Sequence, residues 1–217
     1  MAQREGGGLR ADAAQNKERL LAAAREVFAE QGLGVSMRQV ARHAGVSEPT
    51  LRRRFASREA LIAEAFEDKV VLYAEAAEAA LGDLDPWVGF TSFLRQMASM
   101  QLVDRGFAEM LTMTFPASMR YEQGRRRAWD AIQRLIERAK TAGRLREDFV
   151  AEDIVLLLLA HAGVVAGSGR LAERFSARLL GYLLQAFAAP GAVSLPPAPS
   201  VAETYRALLR LHDNDPA

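Results

Sequence analysis

Hydrophobic side chains recur at helical spacing along most of the chain. The clearest case is the segment 15–31, whose apolar residues are Leu20, Leu21, Ala24, Val27 and Phe28. Positions three and four residues apart share one face of a helix, so this spacing indicates an amphipathic helix. We find no convincing strand hairpin and no internal repeat. The pattern therefore predicts an all-α protein with roughly nine or ten helices.

Capping residues set the predicted ends of the N-terminal helices. Gly32 stops the first helix. Ser36 is expected to cap a second helix, with Gln39 completing a capping box, and Ser47 to cap a third that ends near 55. Ser57 opens a much longer fourth helix that reaches about 80. Further helices are predicted at 86–103, 105–115, 120–142, 153–165, 170–188 and 201–212.

Composition divides the chain into four parts. Residues 1–13 are polar and rich in glycine, which predicts a disordered arm. Residues 14–66 would form a small N-terminal head, and 67–189 a larger helical domain. Residues 190–217 begin with a segment that holds four prolines, which predicts a linker followed by a short terminal helix.

The segment 36–55, SMRQVARHAGVSEPTLRRRF, has the pattern of a helix-turn-helix. Gly45 stands where the tight turn needs a positive φ, which glycine adopts without strain. Val46 is apolar inside the turn and plugs the gap between the helices, while Ala41 is small where they cross. Such a corner presents the start of its second helix to the major groove of DNA.

Charge is concentrated in the same region. The whole chain carries a formal net charge of only +1. Between 36 and 58 there are six arginines and one glutamate, so the rest of the chain is slightly acidic. A basic patch on an acidic body is typical of a nucleic-acid-binding protein, although a solvated arginine face would give the same composition.

The residues that frame the motif resemble those of the Tet repressor (TetR) family. The similarity extends over about residues 14–66 without a gap, and it includes the start of the fourth helix. The residues that carry it are Gly32, Val40, Ala41, Ala44, Gly45, Val46, Ser47, Thr50, Leu51, Phe55, Ser57, Arg58, Glu59 and Leu61. The resemblance implies a DNA-binding head, a long fourth helix, and a C-terminal helical domain for ligand binding and dimerisation.

The resemblance also implies two groups of DNA contacts. One group would hold phosphates and fix the register: Ser36, Ser47, Arg52, Arg54 and Arg58. The other would lie nearer the base edges: Arg38, Glu48, Pro49, Thr50 and Arg53. The alternative is that the serines are ordinary helix caps and that Arg53 is only a solvated charge.

Four positions depart from the usual family residues. The family has an aromatic residue at the position of Arg52 and Tyr or His at that of Arg54, and these mostly touch phosphates. Pro49 stands where Gly is common, and Arg58 replaces the usual Lys. Because a guanidinium also binds phosphate, the role is kept, and the salt dependence of binding should become steeper.

Aromatic and methionine side chains cluster in the middle helices. Such residues suit an adaptable apolar pocket, and the resemblance implies a small-molecule inducer. The alternative is a plain hydrophobic core. The candidate pocket residues are Trp87, Phe90, Phe93, Met97, Met100, Phe107, Met110, Met113, Phe115 and Trp129.

Two later segments, 153–169 and 175–187, are predicted to form a homodimer interface. Residues 154–159 are apolar around nearly the whole helix, so that helix must be buried on more than one side. Two such helices from each subunit would make a four-helix interface. The alternative is a helix buried wholly inside one subunit.

The sequence offers little support for catalysis, a cofactor or a metal site. The chain has no cysteine, and its three histidines have no metal-ligand spacing. His161 is expected to be a hydrogen-bonded interface residue. The longest apolar run, 154–160, is far shorter than a membrane span, and the N-terminus has no signal-peptide core, so we expect a cytoplasmic protein that binds no membrane.

Together these features predict a homodimeric, ligand-responsive repressor that binds double-stranded operator DNA. Ligand in the C-terminal domain would tilt the fourth helix and change the spacing of the two heads. An activating regulator is an open alternative. A rival from another class is a small-molecule-binding protein whose DNA head no longer works, for which the run of arginines at 52–54 is the best argument.

Overall fold

The computed structural model describes residues 5–113, 119–189 and 195–213. Within these ranges the chain forms ten α-helices and no strand, which confirms the all-α prediction. The helices are α1 (Glu5–Gln31), α2 (Met37–His43), α3 (Glu48–Arg54), α4 (Arg58–Ala80), α5 (Pro86–Val103), α6 (Arg105–Met110), α7 (Met119–Thr141), α8 (Ala151–Ser168), α9 (Ala172–Phe187) and α10 (Val201–Asp213). A short 3₁₀ turn, Gly169–Leu171, joins α8 to α9.

The N-terminal arm is helical where it was predicted to be disordered. Helix α1 begins at Glu5, ten residues before the predicted start, so the expected disordered segment 1–13 is wrong from residue 5 onward. Once the first turn of a helix has formed, each further residue that is fixed adds one hydrogen bond, so a helix can extend beyond its packed part. Residues 1–4 lie outside the described part of the chain.

Helix α6 is shorter than predicted. It ends at Met110 instead of 115, and the Thr112 hydroxyl donates to the carbonyl of Glu109 (2.9 Å) in the last turn. A side-chain hydroxyl that bonds a nearby carbonyl offers the backbone an alternative to further helix. Phe115 and Pro116, which were expected to close this helix, lie outside the described residues.

An aromatic column joins the N-terminal head to the C-terminal domain. Phe28 of α1 lies 6.0 Å from Phe66 of α4, and Phe66 lies 6.4 Å from Phe107 of α6, measured between ring centroids. All three rings are fully buried. The two predicted domains therefore share one hydrophobic core.

The first turns of α6 press against the end of α1. A Cβ atom at Gly106 would lie 2.7 Å from the carbonyl oxygen of Phe28, so only glycine permits this approach. The backbone N–H of Leu33 donates to Glu109 Oε2 (2.6 Å). Asp104 caps α6 through the N–H of Phe107 (2.9 Å) and pairs with Lys69 of α4. These contacts fix α6 to α1 and α4 together.

Helices α5, α8 and α9 are tied by a buried polar network around His161. Gln101 donates its amide to the carbonyl of Leu158 (3.2 Å), which turns its Oε1 toward His161 Nδ1 (2.8 Å). The Nδ1 atom must therefore carry the proton, and Nε2 accepts from the Ser176 hydroxyl (2.7 Å). His161 is thus a hydrogen-bonded core residue, and burial lowers its pKa.

Acid should destabilise the fold through this histidine. The pKa of His161 in the folded chain is below its ordinary value of 6.5, so its contribution to stability is complete above pH 6.5 and is lost as the pH falls below it. We expect His161→Gln, which keeps an amide for the two partners, to flatten the fall in the free energy of unfolding between about pH 7 and 5. Urea titrations at each pH measure this. His43→Gln, at the exposed His43–Glu26 pair, is the control. If the free energy of unfolding of His161→Gln falls with pH as steeply as that of the wild type, the assignment is wrong.

The contact at Gly106 should be intolerant of even one methyl group. Gly106→Ala is expected to lower the free energy of unfolding by about 1–3 kcal/mol, because the backbone of Phe28 cannot move aside without disturbing the core. Gly34→Ala is the control, since its Cβ meets nothing within 4 Å. Equal effects of the two substitutions in denaturant titrations would show that α6 is not packed as tightly as described.

Candidate nucleic-acid interface and ligand cavity

Helices α2 and α3 form the predicted corner. Gly45 has a φ of +68°, and the N–H of Val46 donates to the carbonyl of Ala41 (3.0 Å) across the turn. Ser36 and Ser47 cap the two helices, and Gln39 completes the capping box at Ser36. Val40, Ala41 and Leu51 are buried under the corner, so the fold leaves the opposite face of α3 to solvent.

The candidate DNA contacts lie on this outer surface. The exposed members are Ser36, Arg38, Ser47, Pro49, Arg52, Arg53 and Arg54, and the half-buried ones are Glu48, Thr50 and Arg58. Thr50 and Ser47 share a hydrogen bond between their hydroxyls (2.8 Å). The structure therefore brings all ten predicted residues to one end of the molecule, on or beside α2, α3 and the start of α4.

Arg52 is already paired within the recognition helix. Its Nε donates to Glu48 Oε1 (2.8 Å), an i,i+4 pair that the sequence spacing could have indicated. Because an exposed pair of this kind contributes only about 0–1 kcal/mol, a DNA phosphate can replace Glu48 at little cost. Release of Glu48 would at the same time free a carboxylate to accept from a base edge.

A cleft between α1 and α3 was not predicted from the sequence. A cavity of about 280 Å³ is lined by Asn16, Leu20, Thr50, Arg53 and Arg54. No local pattern in the sequence marks Asn16, because its position beside α3 depends on how α1 packs on the head. This places a side-chain amide of α1 next to the arginines of the recognition helix.

Two family models match the chain. Residues 20–65 match the bacterial regulatory proteins of the tetR family, and residues 85–186 match the C-terminal domain of SbtR-like transcriptional regulators. The chain belongs to the TetR family of transcriptional regulators. The family resemblance found in the sequence is thereby confirmed, and α3 is the recognition helix of a DNA-binding TetR-type head.

Solved structures with the same fold support the assignment. A TetR regulator, SCO0520 from Streptomyces coelicolor, is 29% identical with a TM-score of 0.50, and the match covers 81% of this chain and 99% of that one. A putative tetR family regulator from Shewanella sp. PV-4 is 21% identical (TM-score 0.53; 81% and 99% covered). FadR from Bacillus subtilis, solved with stearoyl-CoA, is 15% identical (TM-score 0.53; 77% and 95% covered). No curated protein sequence gave a significant match.

A cavity of about 320 Å³ lies in the C-terminal domain of this TetR-family protein. Its walls come from α4, α6, α7, α8 and α10. The apolar part of the lining includes Val70, Tyr73, Met110, Ile132, Ile154 and Leu158. Charged side chains stand among the lining residues of α7: Glu122, Arg125, Arg126 and Asp130. The lining therefore suits a molecule with an apolar body and a polar or charged end.

Of the nine predicted pocket residues that the structure describes, two, Met110 and Trp129, line this cavity. The others among the described residues pack as core: Phe90, Phe93, Met97, Phe107 and Met113 are buried, and Trp87 and Met100 pack against them. Phe115 lies outside the described residues. These side chains pack against one another, as the alternative of a plain hydrophobic core expects. Trp87 and Phe90, for example, stack at 5.8 Å.

Helices α8 and α9 expose large apolar side chains. Leu156 is 65% exposed, Phe175 50% and Tyr182 56%. Helix α8 buries Ile154, Leu157 and other residues of one face only, so the alternative of a helix wholly buried in one subunit is wrong. By length and composition alone, the segment 151–187 is also long and apolar enough to cross a membrane, which the short apolar run in the sequence did not suggest.

Arg54 is expected to act as a phosphate anchor. Arg54→Ala should weaken binding to all DNA sequences about equally and lower the slope of log K against log salt by roughly one, since one phosphate contact is lost. Fluorescence anisotropy with specific and unrelated duplexes at several salt concentrations measures both quantities. Arg170→Ala, an exposed arginine beyond α8, is the control. Selective loss at one base pair would identify Arg54 as a base reader instead.

Proposed function

We propose that the protein is a cytoplasmic, homodimeric repressor that leaves its operator when an apolar or amphipathic small molecule binds the C-terminal cavity. One observation carries this proposal: α6 contacts both the cavity and the DNA-binding head. Met110 and the adjoining Leu111 line the cavity, while Gly106 and Glu109 touch the end of α1.

The route from cavity to head is short. A ligand that pushes Met110 outward displaces a helix whose first turn is wedged against Phe28. Helix α4 offers a second connection, because Val70 and Tyr73 line the same cavity. Two turns earlier on α4, the carbonyl of Ala65 accepts from Arg25 Nε of α1 (2.8 Å). Ligand and DNA would therefore bias the same pair of helices, and each would weaken the binding of the other.

Dimerisation follows from the exposed face of α8 and α9. Leu156, Phe175 and Tyr182 are exposed apolar side chains on two helices that pack on each other, and an apolar patch of this kind suits a protein–protein interface. The same faces of two subunits would cover one another in a four-helix interface across segments 153–169 and 175–187. Two heads would then read two half-sites of a pseudo-palindromic operator, which gives the sequence specificity that one short recognition helix lacks.

Breaking the dimer should strongly weaken operator binding without unfolding the head. We expect Phe175→Glu to convert a dimer to a monomer in sedimentation velocity, and to weaken binding to the operator by about 100-fold or more, because each half-site then binds alone. Leu84→Glu is the control, since Leu84 is an exposed leucine at the turn after α4.

The DNA for this test comes from the region upstream of the protein's own coding sequence. Binding to that duplex in preference to unrelated DNA, with a steep salt dependence, supports the repressor. Equal, weak binding of the wild-type protein to every duplex favours the rival, a small-molecule-binding protein with an inactive head. A Phe175→Glu variant that stays dimeric places the interface elsewhere.

A further inference from the structure

The wall of the ligand cavity includes a buried tyrosine, Tyr73 of α4. Its side chain is only 6% exposed, yet its hydroxyl forms no hydrogen bond with the part of the chain that the structure describes. Every fully enclosed side-chain nitrogen or oxygen in that part does have a partner. The hydroxyl must therefore reach open space, and Tyr73 lines the cavity. A hydroxyl of this kind is a ready donor for a molecule that enters.

The second tyrosine of the lining, Tyr121 of α7, is in a different state. It is also buried, but its hydroxyl donates to Met110 Sδ (2.8 Å), so α7 is bonded to α6 through this pair. The cavity therefore has one tyrosine hydroxyl that is bonded within the protein and one that is available to a ligand. The two residues offer a matched comparison, because the same substitution can be made at each.

Aromatic packing fixes the position of the Tyr73 hydroxyl. The Tyr73 ring lies 5.6 Å from the ring of Phe93 of α5 and 6.3 Å from that of Phe107 of α6, measured between centroids. A donor held between two helices loses little side-chain freedom when it binds a ligand. Phe107 also belongs to the aromatic column that runs through Phe66 to Phe28. A molecule held at Tyr73 would thus bear on the rings that lead to the head.

The charges around the cavity indicate what kind of group Tyr73 can bind. The charged side chains among the described lining residues all belong to α7 and are exposed or half-buried: Glu122, Arg125, Arg126 and Asp130. Apart from the two tyrosines, the buried lining residues are apolar: Val70, Met110, Ala128, Ile132, Ile154 and Leu158. A carboxylate at this buried end would find no cation there to offset its desolvation, whereas an uncharged oxygen needs only a donor.

Burial also keeps the Tyr73 hydroxyl a donor. The apolar surroundings raise the pKa of Tyr73 above its ordinary value of 10, because burial disfavours the phenolate. The group is therefore protonated and neutral at physiological pH. It can donate to an oxygen that has a free lone pair, such as a carbonyl, an ether or a hydroxyl oxygen.

We propose that the Tyr73 hydroxyl anchors the buried end of the ligand by donating a hydrogen bond to an uncharged oxygen, such as the carbonyl of a ketone or an ester. The ligand class is then an apolar molecule that enters with its neutral acceptor first and keeps any charged group beside the exposed side chains of α7. The inference rests on the proposed function, because it assigns a ligand chemistry to the same cavity.

Two uncharged probes of similar shape test the hydrogen bond. 2-Acetylnaphthalene has a carbonyl group where 2-ethylnaphthalene has a methylene group. Tyr73→Phe removes only the hydroxyl and keeps the ring beside Phe93 and Phe107. Tyr121→Phe makes the same change at the tyrosine that is bonded to Met110. Equilibrium dialysis gives the dissociation constant of each probe for each full-length protein, and circular dichroism checks that the variants fold.

We expect Tyr73→Phe to weaken binding of the ketone about tenfold, because one buried hydrogen bond is lost, and not to weaken binding of the hydrocarbon. Tyr121→Phe should change the affinity for either probe by no more than about twofold. An unchanged affinity of Tyr73→Phe for the ketone, or equal losses for the two probes, would overturn the proposal.

An infrared measurement on the wild-type protein detects the hydrogen bond without relying on a variant. The carbonyl of 2-acetylnaphthalene is labelled with carbon-13, and its stretching band is recorded for the bound probe. The band should lie below its position in hexane, because a hydrogen bond weakens the C=O bond, and it should move back toward that position in Tyr73→Phe. A band at the hexane position in the wild-type protein would overturn the proposal.

A charged probe tests the ligand class. 2-Naphthoate has a carboxylate in place of the acetyl group, and we expect it to bind with this charge at the exposed side chains of α7. Its affinity should therefore be the same for Tyr73→Phe as for the wild type. A tenfold loss in Tyr73→Phe would show that the buried end accepts a charge, which would overturn the assignment of a neutral acceptor.

A cavity-filling variant separates failure of this inference from failure of the proposed function. Leu111→Trp fills the cavity from the end of α6, and circular dichroism checks that it folds. If it blocks both uncharged probes and Tyr73→Phe has no effect, the cavity is the ligand site and only the anchor is wrong. If both probes bind this variant as they bind the wild type, the cavity does not take apolar molecules, and the proposed function falls with the anchor.

Discussion

The rest of the structure depends on the close approach of α6 to α1. The missing side chain of Gly106 lets the helix sit on the backbone of Phe28, and the Leu33 N–H closes the contact through Glu109. Close-packed interiors transmit displacement because they have few voids in which to absorb it. Because one end of α6 is closely packed on α1 and Met110 at its other end lines the cavity, the proposed ligand would act on the head through α6.

More of the head than of the C-terminal domain could be predicted from the sequence. Serine caps, a glycine turn and a capping box act between residues three or four positions apart, so Ser36, Gln39, Gly45 and Ser47 could be placed from the sequence. The Gly106 contact joins residues more than seventy positions apart, and nothing local marks it. The start of α1 was also mispredicted, because three glycines lie in its first turns and glycine disfavours a helix. The helix nevertheless extends into this segment from its packed part.

The ligand cavity shows a different limit of sequence reasoning. Phe90, Phe93 and Met97 were predicted to line a pocket and are buried in the core, because helical spacing does not say whether the space between buried side chains is filled. That depends on how the aromatic rings pack across helices, as Phe149 does between Phe90 (5.5 Å) and Phe187 (4.9 Å). The cavity lies instead among α4, α6, α7, α8 and α10, and part of its wall is Leu208 of α10, which no pocket motif would include.

Charge on the recognition helix and packing in the core have different roles in the proposed regulation. The recognition helix offers Arg52 at low cost, because its ion pair with Glu48 is exposed and easily exchanged for a phosphate. Affinity for DNA can therefore be high without storing strain in the head. In the proposed mechanism, the energy that opposes DNA binding comes from the core, where α4 and α6 are shared by head and cavity. In the proposed mechanism, the basic surface of the head responds to ligand because the hydrophobic core beneath it has a cavity at one end of α6 and close packing at the other.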